Sequence, residues 1–181
     1  LAVQPLEGVL QPEAQKMFVQ ACEMADVIGG LPDRDEDPFA HMDFIFNLAK
    51  DMNKPVDVHV GQNNIPSERE SEMVADKTFE HGLEGKVRLV HAISLACQSK
   101  EDRKRVISKL SEAEIGVIVC PSAAISMKQQ SDILAPIHNS IAPVIELIEG
   151  GVDVMLGIDN IHDLFMPLVD GDMWFECRLL M

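Results

Sequence analysis

The feature that most constrains the fold of this chain is a repeat of short apolar runs that alternate with amphipathic stretches. The runs begin near residues 1, 26, 56, 87, 116 and 153, so the period is about 30 residues. Between the runs, apolar residues recur at helical spacing. Strands that alternate with helices pair in parallel through right-handed crossovers. The sequence therefore predicts an α/β fold, with a parallel sheet and outer helices.

Two architectures fit this alternation, namely a doubly wound open sheet and a (β/α)₈ barrel. No glycine-rich dinucleotide fingerprint follows any run, which argues against the first. Residues with functional side chains end several different runs, as they do at the rim of a barrel. A complete barrel needs roughly 250 residues, and this chain has 181. We therefore predict that residues 1–181 form a single domain, a partial TIM-type barrel with exposed edge strands.

Three of these runs end on residues that can bind a metal ion. His59 shares one strand face with Asp57, His91 ends the run that starts at Val87, and Asp159 ends the run after Gly150. Two imidazoles and a carboxylate at one rim suit a divalent metal, most plausibly zinc. The alternative is that each histidine is a hydrogen-bonded core residue, and the pattern alone leaves this open.

Composition excludes several classes of function. Fifteen Lys and Arg residues face 30 Asp and Glu residues, and the net charge of −15 argues against a nucleic-acid partner. No apolar run approaches the roughly 20 residues that cross a membrane. The four cysteines are widely spaced and form no CxxC pair, which is typical of a reduced cytoplasmic protein. We expect a small-molecule substrate as the partner.

The other histidines are assigned from their position in the pattern. His41 and His81 lie on or next to predicted helices, and we expect both on the surface. His138 and His162 lie in loops above the rim, where either could contact a ligand.

Two further local patterns give testable expectations. Ser67 and Glu70 have the spacing of a capping box at the start of a helix. Trp174 and Phe175 open the last helical segment, and large aromatic residues there are expected in the core.

Several segments together resemble a known family. The chain resembles the amidohydrolase superfamily of metal-dependent barrel hydrolases, in particular the branch of cytosine deaminase and N-isopropylammelide amidohydrolase. The similar segments are residues 56–59, 90–92, 119–122, 157–163 and 171–173. The resemblance implies that the six runs are barrel strands three to eight. It also implies hydrolysis of a non-peptide C–N bond in a small cyclic or amide substrate.

The resemblance assigns roles to the residues at the strand ends. It implies that His59 binds the metal, and that His91 either binds metal or polarises the substrate. Asp159 would bind the metal and accept a proton from the water that attacks the substrate. The metal would be zinc, or alternatively iron. Gln62, Asn160 and His162 are the expected substrate contacts.

The chain departs from the family at three places. Gln62 stands where cytosine deaminase has a proton-transferring glutamate, and the strand-one His-x-His pair is absent. A substrate-binding glutamine at the end of strand three has no clear equivalent, although Gln4 and Leu6 lie nearby. These departures support a second hypothesis, a catalytically inactive partial barrel that binds a ligand or a partner. The expected protein partner is another copy of the chain or the remainder of the same barrel.

Overall fold

A computed structural model describes residues 1–126, 132–137, 140–167 and 169–181. In these residues one sheet holds six parallel strands in the order in which they occur along the chain. The strands are β1 (Ala2–Val3), β2 (Val27–Gly30), β3 (Val56–Val60), β4 (Val87–His91), β5 (Gly116–Val119) and β6 (Val154–Leu156). The sheet is open, with β1 and β6 at its edges. The predicted α/β class and the partial barrel are confirmed.

Helices follow the strands along the chain. They are α1 (Pro12–Met24), α2 (Pro38–Met52), α3 (Glu70–His81), α4 (Lys100–Glu112), α5 (Pro121–Ser126), α6 (Val144–Glu149) and α7 (Met173–Leu180). Local signals set their ends: the Asp37 side chain accepts a hydrogen bond from the Ala40 amide at 3.0 Å, and Gly82 ends α3 with φ +66°. None of the helices in the described ranges is both long and apolar enough to span a bilayer.

The main core lies between the sheet and the helices. Val56, Val58 and Val60 alternate along β3 and are fully buried on this side. A smaller cluster, which contains Val90 and Cys120, lies apart from this core. Because Val90 pairs with His59, the small cluster belongs to the opposite, interior face of the sheet. The two faces are therefore distinct, and the interior face carries the polar strand-end residues.

The expectation that Trp174 lies in the core is wrong, because this side chain is 79% exposed. The buried face of α7 is occupied instead by Glu176, whose carboxylate accepts hydrogen bonds from the backbone amide and hydroxyl of Ser122 at the start of α5. Phe175 is half-buried, and the Arg178 guanidinium lies 5.7 Å from its ring centroid. The contact between α7 and α5 is therefore made by the Glu176 carboxylate at the start of α5, and not by the Trp174 ring.

The predicted capping box at α3 is also wrong. Ser67 is exposed, and Arg69 occupies the N-cap position without a side-chain cap. The Glu70 carboxylate accepts a hydrogen bond from the Gly61 amide at 3.1 Å instead. A capping box requires the glutamate to return to its own helix end, and here a loop amide competes successfully for it.

His41 and His81 are buried, which corrects the expectation that both lie on the surface. His81 packs beside Phe46, with ring centroids 5.8 Å apart. The His41 ring is fully buried because both of its nitrogens have partners: Nδ1 donates to the Asp35 carboxylate at 2.7 Å, and Nε2 accepts from the Leu31 amide at 3.1 Å. Satisfied polar atoms remove the penalty that would keep an imidazole at the surface.

Asp35 is the centre of this buried network. Its carboxylate also accepts hydrogen bonds from the backbone amides of Val9 and Leu10, at 2.8 and 3.2 Å. Burial alone would raise the pKa of Asp35, but the hydrogen bonds from His41 and the two amides lower it. One carboxylate therefore ties the loop after β1 to the segment after β2.

We predict that Asp35→Ala lowers the free energy of unfolding by about 2–4 kcal/mol, because it leaves two backbone amides and the buried His41 without an acceptor. Urea unfolding monitored by circular dichroism measures this change. The neighbouring exposed Glu36 is the matched control, and Glu36→Ala should change stability by less than about 0.5 kcal/mol. Equal effects of the two substitutions would contradict this account of the network.

Candidate metal centre

His59 reaches the interior face by simple strand alternation. Its neighbours Val58 and Val60 face the helices, so the His59 and Asp57 side chains lie on the other face. Burial lowers the pKa of His59 to about 4. This imidazole is therefore neutral at physiological pH, which is the form that binds metals.

His91 reaches the same face through an unusual backbone conformation. In the register of β3 and β4, His91 pairs with Val60, whose side chain lies in the core under the helices. Regular alternation would send His91 to that side as well. Instead, His91 has φ 82°, in the left-handed region. This turn aims its ring at the interior, where its centroid lies 5.2 Å from that of His59.

Asp159 completes the group from the segment that follows β6. It also has a left-handed backbone, with φ 72°. Its Oδ1 lies 3.9 Å from His59 Nε2, and its Oδ2 lies 3.6 Å from His91 Nε2. Donor atoms of all three residues lie within 4.8 Å of one another. The structure thus brings the three predicted metal ligands together.

Left-handed backbone is costly for residues other than glycine, by roughly 1–3 kcal/mol each. Two of the three candidate ligands, His91 and Asp159, have it. Such strain persists only where the surrounding structure enforces it, and it concentrates at functional sites. The geometry therefore supports a functional role for this group over the alternative of ordinary core histidines.

The electrostatics of the group follow from burial. Burial lowers the pKa of His91 to about 3, and the nearby His59 adds to this effect. Burial raises the pKa of Asp159 to about 6, with a further contribution from the Asp163 charge. Both imidazoles are therefore neutral, and the carboxylate that faces them is the anionic member of the group above this pH.

The residues fit a divalent metal ion. Both ring nitrogens of His91 are buried without a hydrogen-bond partner among the described residues, although buried polar atoms normally have one. A cation between Nε2 of each imidazole and the Asp159 carboxylate would satisfy Nε2 of His91. Two neutral nitrogens and one carboxylate form a donor set that suits zinc and leaves room for further ligands.

Two neighbours of His59 lie on the side of Nδ1 and were not predicted as site residues. Gln4, just after β1, brings Nε2 to 3.5 Å from His59 Nδ1, and Asp57 Oδ1 lies 3.9 Å from the same atom. Burial raises the pKa of Asp57 to about 6, against the effect of the Arg88 charge. Strand alternation already places Asp57 on the same face as His59 in the sequence, although it assigns Asp57 no role in the site.

The predicted substrate contacts stay predictions. The Gln62 amide donates to Asp33 Oδ2 at 3.3 Å, and the Asn160 amide donates to the Asp163 carboxylate. His162 is exposed, and its Nδ1 lies 3.2 Å from the Pro167 carbonyl oxygen. His138 lies outside the described residues.

A second group of potential ligands, Asp43, Glu80 and His81, lies where α2 contacts α3. The Lys77 ammonium forms ion pairs with both carboxylates, and its nitrogen lies 2.8 Å from Glu80. A cation therefore already occupies the space between these carboxylates, and the group is better described as a salt-bridge network.

Comparison with known proteins identifies relatives that are longer than this chain. No family model matches the chain. An uncharacterized protein of Haemophilus influenzae is 42% identical over 151 residues, which cover 81% of this chain and 54% of that protein. The N-isopropylammelide isopropyl amidohydrolase of Pseudomonas sp. is 25% identical over 164 residues, which cover 89% of this chain and 37% of the enzyme. The chain thus spans about half or less of the length of these relatives.

A solved structure gives the fold correspondence. The crystal structure of 5-methylcytosine deaminase from Klebsiella pneumoniae, liganded with 5-fluorocytosine, matches with a TM-score of 0.87 at 25% identity. The match covers 99% of this chain and 46% of the deaminase. The resemblance to the amidohydrolase superfamily is confirmed. The amidohydrolase-like chain therefore corresponds to part of a barrel, in agreement with its open sheet.

We predict that His59 and His91 are both neutral at about pH 5.5, because burial holds their pKa values near 4 and 3. In the urea-unfolded chain both become protonated below about pH 6.5. Because only the unfolded chain binds these protons, the contribution of both imidazoles to the free energy of unfolding falls as the pH drops below about 6.5. Two-bond ¹H–¹⁵N NMR spectra of the rings measure the protonation state directly. Imidazolium patterns for either residue in the folded protein would contradict the buried geometry.

Proposed function

We propose that the protein is a metal-dependent hydrolase of non-peptide C–N bonds, with a small cyclic or amide compound as its substrate. One observation carries this proposal: His59, His91 and Asp159 converge at the interior rim, and strained backbone aims two of them there. The names of two similar proteins, a 5-methylcytosine deaminase and an N-isopropylammelide amidohydrolase, indicate the same class of bond.

The residues would divide the work as follows. The ring nitrogens of His59 and His91 and the Asp159 carboxylate would hold the metal, which we expect to be zinc, with iron as an alternative. When bound, such an ion supplies Lewis acidity and favours ionisation of water. Asp159 would accept a proton from the attacking water and pass it to the leaving nitrogen, because its carboxylate lies 3.9 and 3.6 Å from the Nε2 atoms of His59 and His91.

Substrate positioning would come from the loops above the rim. The Gln62 side chain ends beside Asp33 and is half-buried, so its amide can turn to a carbonyl or ring nitrogen of the substrate. Asn160 and His162 follow Asp159 closely in the chain and would border the same space. Gln4 approaches His59 from the end of β1 and could contact a substrate from the opposite side.

A second candidate is a non-catalytic barrel that binds a ligand or a partner. The observation that favours it is Gln62, since an amide cannot transfer the proton that a glutamate would at this position. Hydrolysis of a heterocyclic substrate that chelators abolish would exclude this candidate. Binding of the same compounds without turnover would support it.

We further propose that other parts of the same barrel, or a second copy of the chain, pair with the edges of the sheet. β1 and β6 each lack a neighbour on one side within the described residues, and exposed parallel edges favour pairing. We expect the protein to act in the cytoplasm, because all four cysteines are free thiols.

The direct test is metal and activity analysis of the whole protein. We predict about one equivalent of zinc or iron per protein by plasma mass spectrometry. Asp159→Asn should lower kcat about a hundredfold or more in a screen of amino- and amide-substituted pyrimidines and triazines. The substitution removes the negative charge and the base while it preserves the shape of the side chain.

The matched control for this test is Asp153→Asn, since Asp153 is an exposed carboxylate just before β6. The control should retain both metal content and activity. A whole protein with less than about half an equivalent of metal, and with no loss of metal on Asp159→Asn, would refute the proposed function.

A further inference from the structure

The unusual backbone of His91 continues into the next residue. His91 and Ala92 have φ values of 82° and 54°, two successive left-handed residues without a glycine. The His91 ring is almost fully buried, with 2% of the residue exposed. Because regular alternation would turn this ring away from the interior, whatever holds the left-handed pair also places the ring.

The support for this pair comes from the segment that follows His59. The Ala92 amide donates to the Val60 carbonyl oxygen at 3.2 Å, and the Ser94 amide donates to the Gly61 carbonyl oxygen at 3.1 Å. A side chain at Gly61 would meet Ser94 Oγ at 2.8 Å and Ala92 Cα at 3.3 Å. The segments after β3 and β4 are therefore in close contact, and a side chain at Gly61 would not fit between them.

Gly61 is in turn held by the first residue of α3. Its amide donates to Glu70 Oε2 at 3.1 Å, and Gly61 itself has a left-handed φ of +63°. Two residues before Glu70, the Glu68 carbonyl oxygen accepts a hydrogen bond from the side chain of Gln98, in the segment after β4, at 2.6 Å. The start of α3 thus contacts both segments that leave the histidine-bearing strands.

The contact between Glu70 and Gly61 does not depend on a particular charge state. Burial and the nearby Glu70 charge raise the pKa of Glu68 to about 8. Burial also raises the pKa of Glu70, and the hydrogen bond from the Gly61 amide opposes this rise. A carboxyl oxygen of Glu70 can accept this hydrogen bond whether the group is ionised or protonated.

We propose that Glu70 is a positioning residue of the candidate metal centre: its carboxylate fixes Gly61, against which the left-handed His91–Ala92 pair is held. This inference rests on the proposed function only in so far as a metal binds at His91. The placement of the ring itself is a property of the metal-free chain and can be tested separately.

The test compares Glu70→Met with Glu70→Gln and Glu72→Met in the whole protein. Glutamine keeps an oxygen that can accept from the Gly61 amide. Glu72 is the matched control, because it is another acid in the first turn of α3, but it pairs with Arg105 and Lys109 on the outer surface.

Two readouts separate positioning from general destabilisation. Amide hydrogen exchange of Ala92 and Ser94 should become about tenfold faster in Glu70→Met and should stay near the wild-type rate in the other two variants. The affinity for Co²⁺, followed by its visible absorption, should fall about tenfold or more in Glu70→Met alone. Unchanged exchange at Ala92 and Ser94 in Glu70→Met, or equal effects in Glu72→Met, would overturn the proposal.

The exchange readout remains decisive if the wild-type protein binds no Co²⁺. In that case the proposed function fails, while faster exchange at Ala92 and Ser94 would still support the role of Glu70 in placing His91. Normal Co²⁺ binding in both Glu70→Met and wild type would leave the proposed function standing and overturn the positioning role.

A second pair of variants tests the same support if Glu70→Met does not fold. Gly61 and Gly82 have similar left-handed φ values, +63° and +66°, but a Cβ atom at Gly82 would have nothing within 4 Å of it. Gly61→Ala should therefore weaken Co²⁺ binding and accelerate exchange at Ser94, and Gly82→Ala should do neither. Identical behaviour of the two alanine variants would overturn the inference.

Discussion

The constraint on which the candidate site depends is the left-handed backbone at the end of β4. The pairing of β3 with β4 assigns His91 to the side of the sheet that faces the helices. Its φ of 82° reverses this assignment and places the ring beside His59. Without that turn, this group would hold one imidazole and one carboxylate, and the donor set would be too small for a stable metal site.

The fold and the three candidate ligands could be predicted from the sequence, because they follow from the period of the runs and from the residues that end them. The alternation of strands and helices sets the order and direction of the sheet. His59 is placed by the alternation of Val56, Val58 and Val60 on the opposite face. The same alternation predicts Asp159 at the end of the last strand. In the structure that strand is shorter, and Asp159 lies beyond its end with a left-handed backbone.

The remaining parts depend on contacts between segments far apart in the chain, which no local pattern reports. His41 is buried because Asp35 and the Leu31 amide satisfy its ring. The Glu70 side chain accepts a hydrogen bond from the Gly61 amide and does not cap its own helix, so the capping pattern in the sequence is misleading. The sequence predicts His91 as a candidate ligand because it ends a strand, but it does not predict how the ring reaches the interior. The inward turn of its ring depends on a strained residue supported by the neighbouring strand, and this arrangement leaves no signature in the local sequence.

The central claim is that His59, His91 and Asp159 bind one metal ion together. Anomalous X-ray diffraction at the zinc edge, from crystals of the whole protein grown with Zn²⁺, tests it most directly. The account predicts an anomalous peak between Nε2 of both imidazoles and the Asp159 carboxylate, with metal–nitrogen distances of about 2.0–2.1 Å. A His91 ring turned towards the helices, or zinc bound elsewhere with none at these three residues, would contradict it.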